Sequence, residues 1–155
     1  MHIGGGEPLL NQDKLMGVLK VAQKGHIEIE YIETNSSWFS NEKTAISLLK
    51  ELLSRNVSTL LVSISPFHNE FIPFYKVKGV IQSCQSVGMS VFPWIQDFYH
   101  EISSLDDTQK HSLDEYQKLF GEQFLSSVMR RYWISPGGRA LDLLRQTNQL
   151  YSVDD

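Results

Sequence analysis

The most suggestive arrangement for ligand chemistry lies at the start of the chain. Gly4, Gly5 and Gly6 form a run of three glycines that is followed at once by Glu7 and Pro8. Glycine permits positive φ angles and lets a backbone approach a ligand closely, and proline suits the first turn of a helix. We therefore expect a loop that opens onto a helix N-terminus, with free N–H groups facing a ligand. The Glu7 carboxylate disfavours a phosphate there and suits a zwitterion or an ammonium group better.

The elements that position this loop alternate between strand and helix. Apolar stripes at helical spacing mark the helices, and the clearest consists of Ala45, Leu48, Leu49, Leu52 and Leu53. We predict helices over about 9–24, 41–54 and 75–87, and strands over about 26–34, 59–64 and 89–95, with residues 1–3 as the end of a further strand. Such alternation indicates a parallel sheet. Ligands bind at the carboxyl ends of such strands.

After Gln96 the pattern becomes helical throughout. We predict helices near 97–104, 112–120, 122–132 and 138–148. The predicted organisation is an α/β segment over residues 1–96 and a helical C-terminal extension over residues 97–155 that packs on the same core.

Gly5-Gly6-Glu7-Pro8 resembles the GGEP motif of the radical S-adenosylmethionine (radical SAM) family, and the order of elements after it is also similar. The resemblance implies a partial parallel (β/α) barrel in which this loop ends the second strand and holds the amino group of the methionyl part of S-adenosylmethionine. It also implies polar contacts from the ends of the next strands to the cofactor. The cofactor-binding residues that it implies are Gly5, Gly6, Glu7, Pro8, Asn35, Ser63 and Ser65, with either Ser63 or Ser65 directed at the ribose and carboxylate.

The family also carries a C-x3-C-x2-C loop, before the GGEP motif, that holds a 4Fe-4S cluster. This chain starts at the GGEP strand and has one cysteine, Cys84, in a helical pattern far from the loop. One thiolate does not ligate a cluster that needs three or four. We therefore expect a barrel without its first strand and a chain that holds no cluster and is inactive alone. Three explanations of the missing cysteine loop follow: the chain is a fragment, it is a degenerate relative, or its start codon is misplaced.

The string Phe67-His68-Asn69-Glu70 offers weaker catalytic candidates. His68 and Glu70 would act on a substrate as an acid–base pair or as orienting groups. The alternative is a turn in which Asn69 caps a helix and His68 is solvated. No metal site is predicted, because the other histidines are scattered and supply no third ligand.

Two further features have mainly structural interpretations. Cys84 shares a helix face with Val77 and Ile81 and is predicted to be a small core residue. Gly137-Gly138-Arg139 would open the last helix either as an anion clamp or as an ordinary turn.

Composition narrows the classes of function. The net charge is −4 and the basic residues are scattered, so a nucleic-acid partner is not expected. No apolar run is long enough for a membrane span, and one cysteine fits the cytoplasm. Two hypotheses follow: a truncated radical SAM enzyme of unknown substrate, or a non-catalytic module. In either case self-association or a separate partner chain would cover the open barrel edge.

Overall fold

The computed structural model describes residues 1–132, which fall into two compact units. The first unit is Met1–Ser112, and the second begins at Leu113. The predicted helix at 138–148 and the Gly137-Gly138-Arg139 segment lie outside the described residues. In chain order the elements are β1 (His2–Ile3), a 3-10 turn (Pro8–Leu10), α1 (Gln12–Lys24), β2 (Tyr31–Thr34), α2 (Glu42–Ser54), β3 (Thr59–Val62), α3 (Pro66–Asn69), α4 (Phe74–Val87), β4 (Ser90–Pro93), α5 (Gln96–Ser103), α6 (Leu113–Phe120) and α7 (Phe124–Tyr132).

The four strands form one parallel sheet in the order β1-β2-β3-β4. The predicted α/β class and parallel pairing are therefore confirmed. Each strand pairs with the next one in the chain, so the order does not reverse as it does in a doubly wound sheet. With right-handed crossovers, such an order places the connecting helices on one face of the sheet and leaves the other face open.

Burial along β2 and β4 distinguishes these two faces, whereas in β3 Leu60 and Leu61, on opposite faces, are both buried. Ile32 and Leu60 are paired in register and are fully buried, which marks the face that the helices cover. The alternate residues Tyr31 and Phe92 point to the opposite face, where the Tyr31 ring meets the edge of Phe92 and stacks on His2. Because side chains alternate between faces along a strand, Glu33 belongs to this same open face.

The two long helices of the first half begin at asparagine caps. Asn11 Oδ1 accepts the Lys14 N–H at 3.1 Å, and Asn41 Oδ1 accepts the Thr44 N–H at 3.0 Å. The predicted stripes are buried at Leu15, Leu19 and Ala22 on α1 and at Ala45, Leu48, Leu49 and Leu52 on α2, whereas Leu53 is only half-buried. α1 starts later than predicted, because Glu7 caps a separate 3-10 turn before Asn11 caps the helix itself.

The predicted strand start at His26 is wrong. His26 has φ 52° and ends α1 with a left-handed residue, and the Ile27 N–H donates back to the Ala22 carbonyl. Residues 26–30 therefore run as coil beside Met1 before the ladder begins at Tyr31. The residues alternate between apolar and acidic as in a strand, but Ile27 is 47% exposed and only Ile29 of this segment is buried.

The predicted face of α4, formed by Val77, Ile81, Cys84 and Gly88, is buried at Val77 and Cys84 and only half-buried at Ile81. Phe74, Val77, Val80 and Cys84 are buried, whereas Gly88 is exposed and ends the helix with φ 73°. The prediction that Cys84 is a core residue is confirmed. Burial raises the pKa of its thiol to about 12, so the thiolate form is scarce at neutral pH.

In the second unit, α6 and α7 meet through an aromatic cluster. The rings of Phe120 and Phe124 stack with centroids 4.8 Å apart, and Tyr116 stacks on both. Among the described residues no helix is long and apolar enough to cross a bilayer.

Candidate functional site

The Glu7 side chain joins the end of β1 to the end of β2. Its Oε1 accepts the Leu9 N–H at 3.2 Å, which makes it the cap of the 3-10 turn, and its Oε2 accepts the Asn35 N–H at 2.6 Å. The Thr34 hydroxyl lies 3.0 and 3.1 Å from the two carboxylate oxygens. We call this arrangement the Glu7 clamp. It explains why a glutamate precedes Pro8 on structural grounds alone.

Thr34 is the hub of the clamp. Besides its contact with Glu7, its hydroxyl oxygen accepts the Ser36 N–H at 3.0 Å and the Trp38 indole N–H at 2.9 Å. A hydroxyl has one proton to donate and two lone pairs that accept. The proton and both lone pairs of the Thr34 hydroxyl are therefore engaged, and the loop after β2 is fixed to the loop after β1.

The pKa of Glu7 is raised. Burial is the largest cause, and the nearby Glu33 carboxylate adds to it, while the hydrogen bonds from Asn35, Leu9 and Thr34 act in the opposite direction. Two carboxylates that repel each other at one sheet edge favour a cationic group between or beside them.

Gly5 and Gly6 form an open loop above this clamp. Their φ angles are +87° and +60°, which side-chain-bearing residues rarely adopt, and a Cβ atom on either would meet nothing within 4 Å. Within the described chain the hydrogen bonds of this segment involve Glu7 and not the peptide groups of Gly5 or Gly6. The loop thus presents unused backbone donors and acceptors to solvent.

Glu33 is the residue of this edge that the sequence analysis missed. Its Oε1 accepts the Ser63 hydroxyl at 3.1 Å, and its Oε2 lies 2.8 Å from where a Cβ on Gly4 would stand. A Cβ on Gly4 would therefore displace the end of the Glu33 side chain. We call Gly4, Glu33 and Ser63 the open-face cluster. The position of Glu33, two residues after Tyr31 and on the same side of β2, could have indicated this location from the sequence.

Ser65 and His68 form a separate pair at the start of α3. Ser65 is fully buried, caps α3 by accepting the His68 N–H, and lies 2.7 Å from His68 Nδ1 through its hydroxyl. The alternative in which Asn69 caps and His68 is solvated is therefore wrong: Ser65 is the cap, and Asn69 is buried with its amide donating to the Ile72 carbonyl. Each of the two serine hydroxyls therefore already has a side-chain partner, Ser65 with His68 and Ser63 with Glu33.

The remaining predicted residues lie around these groups. Pro8 is the first residue of the 3-10 turn, and the Asn35 side chain accepts the Ser37 N–H at 2.9 Å in a local turn. Glu70 stands at the C-terminal end of α3. The structure brings Glu7 to Asn35 and Ser63 to Glu33, whereas the roles of His68 and Glu70 in chemistry stay predictions. In residues 1–132 no group of three potential metal ligands is assembled.

His68 supplies a pH prediction. Burial lowers its pKa from the usual 6.5, although the Glu33 charge acts in the opposite direction. The unfolded chain therefore takes up the proton at a higher pH than the folded protein does. As the pH falls below about 6.5, protonation of His68 in the unfolded chain lowers the free energy of unfolding. This loss of stability levels off below the folded-state pKa of His68.

We expect His68→Asn to lose less stability than the parent between about pH 7.5 and about pH 5.5, because the variant has no imidazole to protonate. Chemical denaturation at both pH values measures this. Asparagine retains a polar atom near the Ser65 hydroxyl, so the fold is preserved. Equal losses for the two proteins would contradict the assignment.

Comparison with known proteins gives no match: no family model, no curated protein and no solved structure is similar to this chain.

Proposed function

We propose that this chain is the body of a radical SAM-type protein and that the carboxyl edge of its sheet binds the methionyl part of S-adenosylmethionine. The observation that supports the proposal is the glycine loop at this edge, in which Gly4 lies against the Glu33 carboxylate while Gly5 and Gly6 are open and have positive φ angles. The sequential parallel strand order also suits a segment of a (β/α) barrel. A single cysteine fits a reducing, cytoplasmic location.

The residues present fit the amino-acid end of such a ligand. Unpaired peptide groups at Gly5 and Gly6 complement an ammonium and a carboxylate group, which carry opposite charges. Glu33, which faces the open side of the sheet and lies against Gly4, supplies a negative charge for the ammonium or sulfonium group. Glu7 has a structural role, because its carboxylate holds the loop and the end of β2 in place.

The residues present do not fit a 4Fe-4S cluster. The chain has one cysteine, and that cysteine is buried in α4 with a raised thiol pKa. We therefore assign no radical step to this chain by itself. In the family the bound cofactor supplies a carbon-centred radical; here the described residues would bind and orient the ligand.

A ligand titration tests the binding proposal. We expect S-adenosylmethionine and S-adenosylhomocysteine to bind, and 5′-methylthioadenosine, which lacks the amino-acid part, to bind more weakly by about tenfold, or 1.4 kcal/mol. Glu33→Gln and Gly4→Ala should each reduce affinity by a similar factor, the second because its methyl displaces the Glu33 carboxylate.

The matched control is Glu30→Gln, which makes the same chemical change just before the start of β2, at the far end of the strand. It should leave affinity unchanged. Calorimetry or tryptophan fluorescence provides the readout. Equal binding of methylthioadenosine, or no loss in Glu33→Gln, would refute the proposed site. Release of 5′-deoxyadenosine by this chain alone under reducing conditions would refute its inactivity.

The second candidate function is a non-catalytic module that pairs with another chain. The observation in its favour is a row of exposed apolar side chains beside β1, on the side of the sheet where β1 has no neighbour within residues 1–132.

A further inference from the structure

A cavity of about 470 Å³ lies at the opposite end of the sheet from the Glu7 clamp, beside the starts of β2 and β3. Its lining residues come from the C-terminal half of α1, from the coil that leads to β2, and from the two residues that follow α2. All of them belong to the first unit. The volume falls within the range of about 300–1,000 Å³ that is usual for small-molecule sites.

Two helices end at this cavity, each with a left-handed residue that is not glycine. His26, after α1, has φ 52°, and Asn56, after α2, has φ 65°. By contrast, α4 ends at Gly88 with φ 73°, the residue that is usual at such a position. A side chain in this conformation costs free energy that glycine avoids, and such residues gather at functional sites. Here both side chains line the same cavity.

Groups of both charges line the cavity as well. Arg55 is 29% exposed at its side chain and donates from Nη2 to a Glu51 carboxylate oxygen at 3.1 Å. Its Nε is buried and has no hydrogen-bond partner within residues 1–132, so the guanidinium group is incompletely satisfied. Glu28 contributes an exposed carboxylate. A guanidinium group suits a carboxylate of a ligand, and a carboxylate suits an ammonium group.

The rest of the lining is largely apolar. Leu19, Ala22 and Ile29 are buried, and Ile27 is 47% exposed. A phosphate is disfavoured at this place, because helix C-termini carry a partial negative charge and Glu28 adds a full one. A ligand that combines a carboxylate, an ammonium group and an apolar body matches all three kinds of surface.

We propose that this cavity binds a free amino acid with an apolar side chain. Arg55 binds the carboxylate, and Glu28, together with the C-terminal ends of α1 and α2, binds the ammonium group. His26 and Asn56 supply further polar contacts to the charged end of the ligand. The site lies away from the carboxyl edge of the sheet, and it does not rest on the binding of S-adenosylmethionine there.

Calorimetric titration of the full chain with three related probes tests the site. L-Leucine has both charges and an apolar body, 4-methylpentanoate lacks the ammonium group, and 3-methylbutylamine lacks the carboxylate. We expect saturable binding of leucine and binding of the other two that is weaker by at least about tenfold. The absence of saturable leucine binding, or equal binding of the three probes, would overturn the proposal.

Two charge substitutions distinguish contact with the ligand from a structural role. Arg55→Gln should weaken the binding of leucine and 4-methylpentanoate but not of 3-methylbutylamine. Glu28→Gln should weaken the binding of leucine and 3-methylbutylamine but not of 4-methylpentanoate. Glu30→Gln is the matched control, because it makes the same change two residues away and outside the cavity. A uniform loss for all three probes would contradict the assigned contacts.

Glycine substitutions separate binding from stability. His26→Gly and Asn56→Gly remove side chains from the cavity but relieve the left-handed backbone. Each variant should therefore keep or raise the denaturation midpoint of the parent while its leucine affinity falls by at least about tenfold. Ser36→Gly is the control, because Ser36 has φ 68° and lies outside the cavity. Unchanged leucine affinity in both cavity variants would overturn the proposal.

Competition separates this site from the carboxyl edge. Leucine and S-adenosylmethionine should bind without displacing each other, since the two sites lie at opposite ends of the sheet. Displacement of leucine by S-adenosylmethionine would place leucine elsewhere and overturn the proposal. Failure of S-adenosylmethionine to bind, with leucine bound, would refute only the function proposed for the carboxyl edge.

Discussion

Thr34→Val is expected to lower the free energy of unfolding by about 3 kcal/mol. Valine has nearly the shape of threonine, so the change removes the hydroxyl and leaves the volume almost unaltered. Thr34 is 1% exposed, and its hydroxyl serves the Glu7 carboxylate, the Ser36 N–H and the Trp38 indole. A buried polar group left without its partner costs about 1–3 kcal/mol, and here several partners lose one atom together.

Thr59→Val is the matched control for this change. Thr59 begins β3 and is only partly buried. Its hydroxyl makes one weak hydrogen bond, 3.5 Å from the hydroxyl of the neighbouring Ser58. Its replacement by valine should alter stability by no more than about 0.5 kcal/mol. Chemical denaturation at neutral pH measures both variants. A loss at Thr34 no larger than the loss at Thr59 would show that the clamp does not stabilise the fold.

Gly79→Ala is expected to destabilise the protein by about 2 kcal/mol, against the usual preference for alanine in helices. Gly79 lies within α4 and packs directly on the ring of Phe39, which is buried. An added Cβ would overlap ring atoms of Phe39. Helix propensity favours alanine by about 1 kcal/mol, but the forced displacement of an aromatic ring in a packed core exceeds that gain.

Gly17→Ala is expected to change the free energy of unfolding in the opposite direction. Gly17 lies within α1, and a Cβ there meets nothing within 4 Å, so the variant should gain about 0.5–1 kcal/mol. Chemical denaturation of both glycine variants beside the parent measures the two effects.

A double substitution tests the cause of the Gly79 effect. If the ring of Phe39 is the obstacle, Gly79→Ala should cost less in a Phe39→Leu background than in the parent, with a coupling energy of about 1 kcal/mol. Additive effects of the two substitutions would contradict this account.

The sequence alone determined the regular parts of the fold. Strong apolar periodicity in α2 and the continuous apolar run of β3 identified these elements, since burial imposes period and length directly on residue type. Strict alternation of strands and helices then implied parallel pairing, which the sheet confirms. The glycine run also predicted the loop after β1, because no other residue adopts positive φ angles so freely.

Tertiary structure decided the rest. Glu7, chosen from the sequence as a ligand-facing group, is held by Leu9, Thr34 and Asn35, whereas the carboxylate on the open face is that of Glu33. The chain at His26 was also decided by the tertiary structure: its neighbours alternate as in a strand, but His26 has a positive φ angle and ends the preceding helix. Which of the two carboxylates is held inside the fold depends on contacts between residues about thirty positions apart, and local sequence patterns do not encode such contacts.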